Sequence, residues 1–128
     1  MKNINYKVQV ISLVVWIVVV LFIFKFVPDR PTAGLIAGVG FLILPSLFLI
    51  AELAGEKRKL HMASLTVFLA CSALPIFLLR IFNWGAEFGT LNFYGLSALL
   101  LHRFSNYFYL VMLGSAIYHW RRSKPSPK

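Results

Sequence analysis

Between Val8 and Val27 the chain strings together twenty residues of which only Gln9, Ser12 and Lys25 are polar or charged. A water-soluble fold has no place to hide such a run. As a helix it is about 30 Å long, the thickness of the hydrocarbon layer of a bilayer. Inside that layer each backbone N–H and C=O needs an internal partner, which leaves helices or closed barrels, and a continuous apolar run without alternation selects the helix. Comparable runs cover residues 33–53, 60–82 and 101–120. Together they account for a composition of 59% hydrophobic residues and a mean hydropathy of +0.79 in 128 residues, against about 45–50% apolar content in soluble domains. The expected fold is an all-α integral membrane protein: an up-down four-transmembrane-helix bundle over residues 1–122, followed by a basic tail, 123–128. The first run exceeds the roughly 7–15 residues of a signal-peptide core and lacks a small-residue cleavage site, so it is expected to persist as the first helix.

Short charged turns set the orientation. Lys57, Arg58 and Lys59 lie consecutively between the second and third runs, and Arg121 and Arg122 follow the fourth. Such loops resist translocation, so they are expected on the cytoplasmic side together with Lys2, Lys7, Lys124 and Lys128, with both termini inside. Lys25, Arg30, Arg80 and Arg103 fall on the opposite side. The net charge of +9 is thereby absorbed by topology, and no nucleic-acid partner is expected. The expected location is the cell inner (plasma) membrane, with multi-pass insertion.

Within the runs, small residues and prolines stand out. Ala33, Gly34, Ala37 and Gly38 form a strip at helical spacing on the second span, expected as a helix-packing face within the bundle or between subunits. Pro45 and Pro75 are expected to bend the second and third spans. Pro28 and Pro31 bracket a tight turn. The segment 93–120 is longer than one crossing needs. A single tilted helix would draw Arg103 into hydrocarbon at a cost of at least about 2.5 kcal/mol, so the span is expected to begin near Leu101, with 93–100 interfacial or extending it.

Candidate chemistry collects at the boundaries. Arg80, His102, Arg103 and Asn106 form a basic outer mouth suited to an anionic ligand such as a carboxylate or phosphate, with snorkelling to lipid headgroups as the competing reading. His61 and His119 fall at one level at the inner end, where they could flank a haem, although helix-end histidines are more commonly hydrogen-bonded or headgroup-facing. Glu52 is expected to pair with Lys57 or Arg58, or to be solvated. The single Cys71 cannot form an intrachain disulfide. No zinc spacing and no nucleophile elbow is present, so no metal, no cofactor and no catalytic residue is expected. The sequence therefore points to a non-catalytic packing or accessory subunit, with membrane lipid and either further copies or other membrane subunits as partners. The alternative is an oligomeric channel or carrier for an anion or lipid-linked phosphate.

Overall fold

The computed structural model describes residues 5–55 and 57–123, so Lys2, Lys124 and Lys128 lie outside the described residues. Helix α1 runs Tyr6–Phe26, α2 Arg30–Ala54, α3 Lys59–Phe82 and α4 Ala98–Ser123. Among the described residues the fold is all-α apart from one small hairpin, and α1, α2 and α3 are each long and apolar enough to cross a membrane. The fourth helix is as long, with 26 residues, but more polar.

Local chemistry explains the boundaries. Asn5 caps α1, its side chain accepting the Val8 amide at 3.2 Å. The helix stops at Val27, held extended before Pro28. The turn is shorter than expected, because α2 starts at Arg30 and takes Pro31 into its first turn, where a missing N–H costs nothing. Asp29 precedes it and accepts the Thr32 hydroxyl. The second helix continues through Pro45. In α3 the backbone widens into a π turn at Leu69–Ala73 immediately before Pro75. A proline removes one helical bond, and a π turn is one way of absorbing that irregularity without ending the helix.

The segment 93–100 is divided. Asn92–Phe93 and Leu96–Ser97 pair as a two-stranded antiparallel hairpin, turned by Tyr94 and Gly95, both at positive φ, the conformation of a type I′ turn. Helix α4 then starts at Ala98, three residues before the expected span. It runs on through Arg121 and Arg122 to Ser123, the first residue of the expected tail.

Packing sets neighbouring helices in opposite directions. Tyr6 at the start of α1 bonds Glu52 at the end of α2, and His61 at the start of α3 bonds Ser115 near the end of α4. The mid-level core gathers Val10, Leu13, Leu65, Phe68, Tyr109 and Met112. Phe41, Phe68 and Tyr109 meet with ring centroids 5.4–6.1 Å apart, and the Tyr109 hydroxyl donates to the Leu13 carbonyl at 2.6 Å, tying α4 to α1. A smaller cluster of Leu79, Ala98 and Leu101 closes the other end.

The small-residue strip of α2 is filled from within the chain. Ala33 and Ala37 are buried, a Cβ on Gly38 would meet Phe77 at 3.1 Å, and one on Gly34 would meet the Arg80 guanidinium at 2.3 Å. Of the two expected uses of the strip, packing inside the bundle is the one these contacts realise. Gly40 plays the same part toward α1, where a Cβ would lie 1.9 Å from the Trp16 ring.

Candidate functional site

Polar side chains meet at both ends of the bundle. At the inner end, named for the side on which Lys57, Arg58 and Lys59 sit, each helix contributes. Glu52 is fully buried. Its carboxylate accepts the Tyr6 hydroxyl at 3.0 and 3.2 Å and the Arg58 amide at 2.7 Å. Rather than being solvated, it reaches from the last turn of α2 to the amide of Arg58, the N-cap of α3, where a negative charge complements the helix dipole. The connection is tight because Lys57 adopts a positive φ and returns its amide to the Glu52 carbonyl at 3.0 Å.

One turn into α3, His61 is enclosed on all sides. Its Nε2 lies 2.6 Å from Gln9 Oε1 and its Nδ1 2.7 Å from Ser115 Oγ. Since an amide oxygen only accepts, Nε2 carries the proton. Ser115 in turn lies 2.9 Å from Ser64 Oγ and 2.8 Å from the Met112 carbonyl, and Ser64 donates to the His61 carbonyl at 2.8 Å. The single Ser115 proton can point to Nδ1 of a neutral ring, or to Met112 when Nδ1 itself donates. His119 is buried beside it, with ring centroids 5.4 Å from Tyr6 and 6.0 Å from His61.

The expected level match of His61 and His119 is therefore present. Both His61 nitrogens have protein partners, Gln9 and Ser115. Among the described residues no group of three or more His, Cys, Asp or Glu is placed to hold a metal ion.

No family model, curated protein or solved structure matches this chain.

At the outer end Arg80 occupies the last turn of α3, with its guanidinium laid against Gly34 and its Cζ 4.2 Å above the centre of the Phe88 ring. His102, in the first turns of α4, approaches the same ring edge-on with centroids 6.5 Å apart. A narrow cleft beside Arg80 is lined by Pro31, Asn83, Trp84, Phe88 and Leu91. Of the four expected ligand residues, Arg80 and His102 meet around Phe88. Arg103 and Asn106 are exposed, away from that cleft's lining.

The residues that sequence reasoning missed are Tyr6, Gln9, Ser64 and Ser115. A signal existed. Tyr6 and Gln9 are three apart, as are His61 and Ser64, while Ser115 and His119 are four apart. Polar pairs one helical turn apart in apolar runs mark an inward polar stripe.

Proposed function

We propose that the chain is a non-catalytic four-span protein of an inner (plasma) membrane, with both termini cytoplasmic, which serves as a packing subunit of a membrane assembly. The fourth crossing is supported by where α4 places its polar residues. Ser115 and His119, which lower its hydropathy, are buried in the inner cluster. Arg103 and Arg121, both exposed, are 18 residues apart, about 27 Å along a helix, which suits a hydrocarbon layer about 30 Å thick.

The observation that carries the subunit reading is the outward row of α4: Arg103, Tyr107, Leu110, Gly114, Ile117 and Arg121, all exposed and spaced alternately four and three residues apart. That spacing makes a helix-packing seam. At its centre a Cβ on Gly114 would meet nothing within 4 Å, so the backbone is open to close approach by another helix. By contrast, α1 turns Val8, Ile11, Val14, Val15, Val18 and Leu21 outward, a surface suited to lipid tails. The strip on α2 is occupied, so the seam on α4 takes over its proposed role as a contact between subunits.

The test is native purification in mild detergent with mass measured by light scattering, comparing wild type with Gly114→Leu. The proposal expects a complex larger than one 14.5 kDa chain that falls apart in the variant, and a cross-linked product when Gly114→Cys is oxidised in a Cys71→Ser background. A monomer in both proteins with no cross-link would refute it.

A further inference from the structure

Arg80 has an unusual setting for a cation near lipid. Its guanidinium offers five N–H donors, yet it has neither a hydrogen bond nor an ion pair with a described residue; it lies against the Phe88 face and the Gly34 backbone, with His102 close enough to feel its charge. The nearby carboxylates do not serve it. Asp29 accepts from Thr32, and the exposed Glu87 engages through its backbone carbonyl with Thr90. A half-buried guanidinium whose donors are not taken up within the chain and stay open to the surface is free to receive an anion from outside it.

From this geometry we infer that Arg80 holds the phosphate of a membrane phospholipid, in the cleft formed with Asn83, Trp84 and Phe88. The site lies where such a group is found. Trp84, in its lining, is 53% exposed, and Phe82 and Tyr94, which line a neighbouring hollow on the other side of Asn83, are 80% and 94% exposed, together an aromatic belt of the kind that settles at headgroup level. A planar fork matches two phosphate oxygens at once, and Phe88 beneath it fixes the plane. Gly34 acquires a specific purpose: its missing side chain makes the seat in which the guanidinium lies. Compared with the basic mouth expected from sequence, the site draws on Arg80 and Asn83 and leaves out Arg103 and Asn106.

The experiment is native mass spectrometry of the full chain released from nanodiscs containing phosphatidylglycerol and phosphatidylcholine, with thermal unfolding run alongside. Wild type should retain a phospholipid. Arg80→Gln should reduce retention roughly tenfold, the loss expected for a charge-assisted bidentate contact, while Arg103→Gln should leave it unchanged. Gly34→Ala provides a second route that does not depend on Arg80→Gln folding. Its Cβ would displace only the mobile end of Arg80, so the unfolding midpoint should hold while retention falls. Equal retention in wild type and a folded Gly34→Ala would overturn the inference. So would Arg80-dependent binding of inorganic phosphate in detergent with no preference for lipid, since the ligand would then be the free ion.

Discussion

His61 touches more of the bundle through hydrogen bonds than its position at a helix end suggested. It links α1 through Gln9 and α4 through Ser115, from a place on α3 next to the carboxylate that ends α2. Replacing it with alanine would strand the buried Gln9 amide, at about 1–3 kcal/mol for a group left without a partner, and leave a cavity between four helices, while Ser115 keeps Ser64 and the Met112 carbonyl. Tyr6→Phe strands only part of one carboxylate, which keeps the Arg58 amide. We therefore expect His61→Ala to lower the unfolding midpoint in detergent by clearly more than Tyr6→Phe, with Gln9→Leu between them; equal effects would mean that His61 is not the hub. At this scale the sequence was only partly legible. It placed His61 and His119 at one level, but a list of residues does not say which polar groups on four separate helices share one interior, and Glu52 read as a boundary acid because only packing reveals that it is covered.

The helices show why a glycine's meaning depends on what faces it. Gly34 and Gly40 both receive a side chain, but Gly34 meets the movable end of an arginine while Gly40 meets the rigid body of Trp16. Gly34→Ala should leave stability nearly unchanged. Gly40→Ala forces an indole out of its slot and should destabilise by about 1–3 kcal/mol, the usual range for overpacking, read as a lowered midpoint in the same thermal assay. Similar losses in both would show that the strip is generic spacing rather than two distinct seats. The runs themselves were readable, because twenty apolar residues leave few alternatives to a membrane-spanning helix. The hairpin at 92–97 was not, since two-residue strands carry no periodicity to detect and the Tyr94-Gly95 turn lacks the usual Asn or Asp. The π turn before Pro75 was anticipated only as a bend, because a proline reports that the helix is disturbed but not how the disturbance is absorbed.

At the scale of the whole molecule, the helices alternate in direction, and the charges divide accordingly. Lys7, Lys57, Arg58, Lys59, Arg121 and Arg122 fall at the end where α1 and α3 begin, and Lys25, Arg30, Arg80 and Arg103 fall at the other. This division was legible because a cation resists crossing a bilayer whatever its neighbours do. The partner on α4 was not legible, because the small residues of α2 were the stronger pattern and only the fold shows that they are already used. Each part of the proposal, from the seam on α4 to the phosphate at Arg80, depends on α4 crossing the membrane. The direct test fuses either alkaline phosphatase or a cytoplasm-active fluorescent protein after Lys128 in a bacterial inner membrane. Fluorescence without phosphatase activity is the expected result; an active phosphatase would put the C-terminus outside and contradict the four-span account.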